Sequence, residues 1–546
     1  MNQYKFDCGC EVEIVDEQIK EMDGLPGLHI DYENLRLDCP KVWEFIGTGQ
    51  TKGIFQLETN LGQAWARRIL PESVSEMAAL GALLRPGVLR AIVDGKSMTQ
   101  HYADRKSGKE EVEAFHEALE PILRETYQIL VFQEQILSIA KDIAGFTLQQ
   151  GEVLRKSVGK KLPELMTKVK GEFLEGCKQT GKVNEKEASE IFEWIEASQR
   201  YSFNASHSVS YSLLGYWSAW VKVHFPFHFY TSWLYYAKDK LEPQAEVKQL
   251  ISDAKNFDIS VLPPSLIHLR EGDFGRFSLH KEKIRFGIKD IKRIGTVSSD
   301  KLFERVNELE EKTGKSLKQF GWYELLLLLL SKLSLTVVNG VVQVGALDYL
   351  DIPRSKMLFE YDIFRKLTSR ERNYIIEKCK ADGNLLMGLL DLINNFKMGK
   401  KRIETLFELA KSLREPPSSL VDSTYKISSW EEDLLGVAVT HCRLDACNPD
   451  QLDLINCTCS EFTTSILTNV FIAGEIIEVK EYRTKTGSNM AFLTLEDGSG
   501  QLKCIAFSEI WEKNRHKLYP GNTILVCGEA SKRDKDTLII QEAKNI

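Results

Sequence analysis

Apolar residues recur at three- and four-residue steps from about Pro40 to Ala254, a period that predicts helices. Val112–Arg124 and Val131–Ala144 carry it most clearly. The preceding segment is short and polar, punctuated by the turn-favouring dipeptides Asp23-Gly24 and Pro26-Gly27. Ile259–Phe277 turns irregular around Pro263-Pro264, and Ile284–Ile294 begins a new unit. Helical spacing returns over Thr296–Arg414, and Pro416-Pro417-Ser418-Ser419 marks a linker. From about Val470 the apolar runs shorten to strand length. Ile472–Val479, Ala491–Glu496, Leu502–Phe507, Thr523–Gly528 and Thr537–Gln541 are separated by turns such as Asp497-Gly498 and Pro520-Gly521. Five such strands in one short stretch predict a small closed barrel. The expected fold is multidomain, mainly α-helical, with a C-terminal all-β barrel.

The length of 546 residues supports this division, since single cores rarely exceed roughly 250–300 residues. The pattern divides the chain at 1–39, 40–255 (helical), 256–295 (a connector with short strands), 296–415 (helical), 416–465 (a linker) and 466–546 (the barrel). A net charge of -7 excludes a uniformly basic nucleic-acid binder, so any such grip must come from local patches. Eleven cysteines without paired spacing read as reduced thiols, consistent with a cytoplasmic setting. The start, MNQYKFDCGC, lacks the basic-then-apolar order of a signal peptide. Leu325–Leu330 is too short for a span of about 20 residues. Tyr211–Ala237 is longer but interrupted by Lys222, His224, Pro226 and His228, which predicts a buried helix and turn rather than a membrane segment.

Two segments carry candidate chemistry. GEVLRKSVGKK places Arg155, Lys156, Lys160 and Lys161 around a helix that Gly159 ends, and such a cluster suits a triphosphate. Downstream, YSFNASHSVSYSLLGYWSAWVKVHFP presents Tyr201, a ring able to stack on a sugar or base, ahead of a long apolar helix. A basic run of this kind taken alone is usually a solvated helix end. Phe225, Phe227, Phe229, Trp233, Tyr235 and Tyr236 read as core.

In order along the chain, Gly53–Glu58 (GIFQLE), Arg85-Pro86-Gly87 in LLRPGVL, Val131–Leu137 (VFQEQIL), RKSVGKK and YSFNASH resemble the fingers of the alpha subunit of bacterial DNA polymerase III, the C family of replicative polymerases. The resemblance implies that Arg155 and Lys156 contact the triphosphate of an incoming dNTP, with Lys160 and Lys161 beside them. Lys156 stands where the family usually has a second Arg, keeping the charge and losing a bidentate fork. It also implies that Tyr201 lines the sugar pocket and that His207 faces substrate or template. Ala205 occupies a position where the family usually has Lys, so one phosphate contact is missing.

Ile284–Gly295, IRFGIKDIKRIG, resembles the opening of the family's helix-hairpin-helix region, which implies DNA contacts from Lys289, Lys292 and Arg293. Arg293 replaces the glycine common in such turns. VGALDYLDIP at Val344–Pro353 and WEEDLLGV at Trp430–Val437 resemble further landmarks. The barrel resembles an OB fold, a fold that binds single strands with aromatic platforms and basic grooves. Arg483, Lys485, Phe492 and Phe507 are its candidates.

The family's PDxDxD carboxylate motif is absent, and Pro449–Asp453, PDQLD, has the wrong spacing. Lys5-Phe6-Asp7 matches the KFD segment, which makes Asp7 the candidate third palm carboxylate and Lys5 a candidate nucleotide contact. The resemblance is thus to the C-terminal half of the subunit. It implies part of a split DNA-directed DNA polymerase, inactive alone, that binds dNTP and template-primer DNA. Mg2+ would be held mainly by a palm-bearing partner chain. The alternative is a non-catalytic nucleic-acid-binding protein derived from a polymerase half, toward which Ala205 and Arg293 lean. Gln451–Ile455, QLDLI, resembles a peptide that binds a sliding clamp, but it ends in Ile rather than Phe and better fits an amphipathic turn. Cys442, Cys447, Cys457 and Cys459 have CxxxxC and CxC spacings unlike standard zinc knuckles. Cys8 and Cys10 would enter a metal site only with partners elsewhere.

Overall fold

The computed structural model describes residues 2–546 apart from 15–29, 33, 90–91, 160–162, 199–201, 270–275, 281, 379–382, 418–419, 442–443, 445–446, 448–452, 460, 463–468, 485–486, 498 and 533–535. The described residues fall into two units, one ending at Phe229 and the other starting at Tyr230.

The first unit opens with an antiparallel hairpin, β1 (Asn2–Lys5) and β2 (Glu11–Ile14), in which Lys5 pairs with Glu11. Helix α1 (Pro40–Thr48) begins with proline, whose fixed φ suits a first helical turn. In α2 (Val74–Leu83), Ser73 caps the start by accepting from the amide of Glu76, and most of the helix is buried. Then α3 (Gln133–Ala144), α4 (Leu148–Gly159), α5 (Pro163–Thr180) and α6 (Glu185–Ser198) pack around Ile136, Ile139, Leu154, Phe173 and Phe192. The last helix wholly within this unit is α7 (Ala205–His224), which lies against α2. Gly215 permits that approach, because a Cβ there would collide with the Met77 side chain and sit 3.2 Å from the Phe55 carbonyl oxygen.

Two expectations of local structure change. Val112–Arg124 is not one helix: only Glu120–Leu123 is α-helical, flanked by 3-10 turns at Glu117–Leu119 and Arg124–Thr126. Pro121 is the cause, since a residue without an amide proton fits only the first turn of a helix. Residues 211–237 form two helices, because a new one, Pro226–Tyr236, starts at Pro226. Lys222, which had argued against a membrane segment, is fully buried. Its ammonium donates to the carbonyls of Gln50 (3.0 Å) and Lys52 (2.8 Å) and lies 5.3 Å from the Phe45 ring. Among the described residues no helix is long and apolar enough to cross a membrane.

The second unit is helical before its barrel. The leucine run lies in Trp322–Leu328 and the turn after it, with Leu325, Leu326, Leu327, Leu329 and Leu330 all buried. Buried Arg354 pairs with Glu431 (2.9 Å) and Asp348 (2.6 Å), tying Arg354–Arg365 to Thr424–Leu435. The barrel consists of β3 (Val470–Arg483), β4 (Asn489–Glu496), β5 (Gln501–Ala506), β6 (Thr523–Ala530) and β7 (Thr537–Asn545). These close in the order β5-β7-β6-β3-β4, with only β5 and β7 parallel. Alternation along each strand puts Ile472, Ile476, Leu493, Leu495, Val526 and Ile540 inside. Strand β3 runs to 14 residues, longer than expected. A register shift between Ile476 and Glu478 bends it, so its first half pairs with β6 and its second continues along β4.

Candidate nucleotide and nucleic-acid interface

The site of the first unit is built where residues 131–135 meet residues 202–207. The amide of Phe203 donates to the Val131 carbonyl at 3.0 Å, and that of Gln133 donates to the Phe203 carbonyl at 2.8 Å. Immediately beyond, Asn204 caps α7 by accepting from the His207 amide at 2.8 Å. The Glu134 carboxylate accepts from Asn204 Nδ2 and from the Ala205 amide, each at 2.8 Å. An acidic group thus occupies the electropositive start of α7.

Basic groups border this clamp. Arg85 donates through Nε to the Ala82 carbonyl at 3.1 Å, and its guanidinium lies 4.3 Å from the Phe203 ring centroid. Burial there lowers the Arg85 pKa from its ordinary value. Arg155, on α4, donates to Glu152 at 2.9 Å and to Gln133 Oε1 at 3.4 Å. The hydrogen bond to Glu152 raises the guanidinium's pKa and lowers that of the carboxyl. Lys156 is exposed beside it. His207 is exposed too, its ring 4.0 Å from Tyr211 and 5.4 Å from Phe203.

Of the nucleotide candidates, Arg155 and His207 are therefore linked through Gln133 and Phe203, while Lys160, Lys161 and Tyr201 lie outside the described residues. Arg85, Gln133 and Glu134 were not singled out as contacts. Their signal was their place inside the RPG and QEQ segments.

Lys5 and Asp7 belong to the N-terminal hairpin. Lys5 pairs with Glu11 at 2.7 Å, and Asp7, largely exposed, pairs with Lys41 at 2.8 Å. The hydrogen bond from the Lys41 ammonium holds the Asp7 carboxyl below its ordinary pKa. Among the described residues, the group of three or more potential ligands that could hold a metal ion contains Cys8, Cys10, Cys39 and His224. Thiols and imidazole do not suit Mg2+, a hard cation that prefers oxygen. Asp7, paired with an ammonium, does not make a Mg2+ site by itself.

In the second unit, Lys289 pairs with Asp300 at 3.2 Å and lies 5.8 Å from the Phe303 ring. Arg293 adopts a φ of 72°, a left-handed conformation that glycine takes at low cost, and pairs with Asp433 at 3.2 Å. The Lys292 amide donates to the Leu434 carbonyl at 2.8 Å. On the barrel, Phe492 stands opposite Lys480 and Ile505, and Phe492, Phe507 and Tyr482 are exposed. Tyr482, which the sequence reading missed, lies 6.4 Å from Phe492. Strand parity was its available signal. Arg483 Nε donates to the Gly487 carbonyl at 3.4 Å, and Lys485 is outside the described residues.

Cys457 and Cys459 are buried in the barrel core, where burial pushes the Cys459 thiol well up. Cys442, and Gln451 of the clamp-like peptide, lie outside the described residues.

Residues 11–181 match the bacterial DNA polymerase III alpha subunit finger domain, and residues 470–546 match the OB-fold nucleic acid binding domain. Proteins named DNA polymerase III subunit alpha are similar along nearly the whole chain. The protein from Aquifex aeolicus is 30% identical over 526 residues, 95% of this chain and 39% of its own length. That from Thermus aquaticus is 30% identical over 541 residues, 96% of this chain and 40% of its own. That from Bacillus subtilis is 27% identical over 519 residues, 95% and 42%. The chain thus spans about two fifths of the length of these curated relatives.

Proposed function

We propose, from the similarity to the finger domain and OB fold of bacterial DNA polymerase III alpha subunits, that the chain is a relative of that subunit and grips an incoming dNTP and template-primer DNA for DNA-templated nucleotidyl transfer. Arg155 and Lys156 meet the triphosphate, assisted by Lys160 and Lys161, while Tyr201 orients the sugar and His207 faces substrate or template. Lys289, Lys292 and Arg293 hold the duplex, and Arg483, Lys485, Phe492 and Phe507 hold the single strand. The metal-binding carboxylates, and the Mg2+ they hold, come mainly from a palm-bearing partner chain, with Asp7 as a third carboxylate and Lys5 as a further nucleotide contact.

The observation that supports this reading best is the connected group Arg85–Phe203–Gln133–Arg155, because it joins the separate finger motifs in one half-buried group. Arg155 is already fixed in direction by Glu152 and Gln133, and an oriented guanidinium binds phosphate with less ordering cost. The test is binding of fluorescent primer-template DNA by the full chain, with and without the dNTP complementary to the next template base. Tighter binding with the correct dNTP, abolished by Arg155→Ala, is expected. DNA binding indifferent to dNTP would overturn the nucleotide assignment.

A second reading is a nucleic-acid binder that has lost nucleotide selectivity. The Glu134 carboxylate at the start of α7 favours it, since it uses the Ala205 amide at the position where the family's Lys would approach phosphate. Salt-dependent DNA binding without any dNTP effect would select this reading.

A further inference from the structure

Three cysteines and one histidine far apart in sequence converge within the first unit. Cys8 and Cys10 flank Gly9 in the loop of the β1–β2 hairpin, and Cys39 precedes α1. His224 ends α7. Their sulfur and nitrogen atoms all lie within 4.8 Å of one another. His224 Nε2 is 3.6 Å from Cys39 Sγ and 3.8 Å from Cys8 Sγ.

We propose that Cys8, Cys10, Cys39 and His224 bind a single structural Zn2+ in tetrahedral geometry. With Zn–S near 2.3 Å and Zn–N near 2.0–2.1 Å, a tetrahedron sets each sulfur about 3.6 Å from the nitrogen. The two sulfur–nitrogen separations in the structure agree with that spacing. Three thiolates and one imidazole form a closed donor set without an open position, which is the pattern of a structural rather than catalytic ion. A disulfide between any two of these cysteines would leave the third thiol and the imidazole unexplained.

The surroundings are those of a built site. Gly9 has a φ of 79°, and this left-handed turn lets Cys8 and Cys10 face the same point. Arg36 donates to the Gly9 carbonyl at 3.4 Å, steadying the loop. The Cys39 amide donates to Tyr216 Oη at 3.1 Å, and that hydroxyl donates to the Arg36 carbonyl at 2.9 Å. The rings of Phe6 and Trp220 cover His224 at 4.2 and 4.6 Å, excluding water from one side.

Imidazole ligates a metal in its neutral form. A divalent cation favours the thiolate form of its cysteine ligands. The ion would join the hairpin carrying Lys5 and Asp7 to the helix whose other end carries Asn204 and His207.

The full chain, purified without added metal and dialysed against metal-free buffer, is assayed for zinc by mass spectrometry. It is then loaded with Co2+ for absorption spectroscopy. About one zinc per chain is expected, with cobalt giving the intense visible bands of tetrahedral coordination and near-ultraviolet thiolate charge transfer. Cys10→Ser and His224→Ala should each lose zinc, whereas Cys527→Ser, in the barrel, should retain it.

Should the ligand variants fail to fold, alkylation of the unmodified chain decides. Cys8, Cys10 and Cys39 should resist iodoacetamide until a chelator is added, while Cys527 reacts at the same rate throughout. A zinc-free chain with an octahedral cobalt spectrum would overturn the site. So would a disulfide among the three cysteines, or alkylation indifferent to chelator.

Discussion

The Arg85 guanidinium rests 4.3 Å from the ring of Phe203, joining the turn after α2 to the strand-like segment before α7. The contact is half-buried, where cation–π attraction is worth about 1 kcal/mol or more. Phe203→Leu should lower stability in urea unfolding by about 1 kcal/mol and weaken any dNTP-dependent gain in DNA affinity. An unchanged midpoint would show that ring and guanidinium are merely adjacent.

Glu134 supplies a second junction, accepting from both Asn204 and Ala205. Glu134→Ala leaves these donors without that acceptor at the start of a helix, at a cost of about 1–3 kcal/mol. Hydrogen exchange at the Ala205 amide should accelerate while exchange in the middle of α7 changes much less. Equal acceleration along the helix would point to general unfolding instead.

Legibility differed between these features for physical reasons. The five barrel strands were readable because alternation along a short strand needs only near neighbours; the observed bounds extend four of them and shift the third, expected at Leu502–Phe507, by one residue to Gln501–Ala506. The fingers motifs were readable as segments, whereas the ion pair of Glu152 with Arg155 on one helix face was not read from the sequence although its spacing of three allows it. Val112–Arg124 misled because apolar periodicity cannot outweigh Pro121. Arg85 over Phe203, and Cys8 near His224, join residues more than 100 positions apart, and no local pattern encodes such a meeting.

In the second unit, Asp290 gives a pH signature. Burial pushes its carboxyl up to about 6, although Arg276 pairs with it at 3.1 Å. The folded state therefore holds the proton more tightly than the unfolded state, whose carboxyl titrates near 3.8. Its contribution favours folding below that value and is lost as pH rises from about 4 to about 6, on the order of 2–3 kcal/mol. Asp290→Asn should remove this part of the pH dependence in urea unfolding measured between those limits. Parallel profiles for the two proteins would contradict the assignment.

On the barrel, exposed Phe492 and Tyr482 offer adjacent rings beside Lys480. Stacking is worth about 1–3 kcal/mol per base. Phe492→Ala should therefore weaken binding of a fluorescent single-stranded oligonucleotide by roughly 5- to 150-fold, without changing barrel stability by more than a few tenths of a kcal/mol. Unaltered affinity would assign this face to something other than single strands.

Helix α7 has 20 residues, so it is about 30 Å long. It begins in the Asn204 clamp and ends at His224, and Lys222 fastens its last turn to the carbonyls of residues 50 and 52. Such a rod does not shorten, so a displacement along its axis at one end reappears at the other. Anything that reseats His224 by an ångström therefore acts as a lever on the clamp that Glu134 and Asn204 form at the start of the helix. The reach of the chain's N-terminal hairpin is in this sense the length of one helix, not the distance along the sequence.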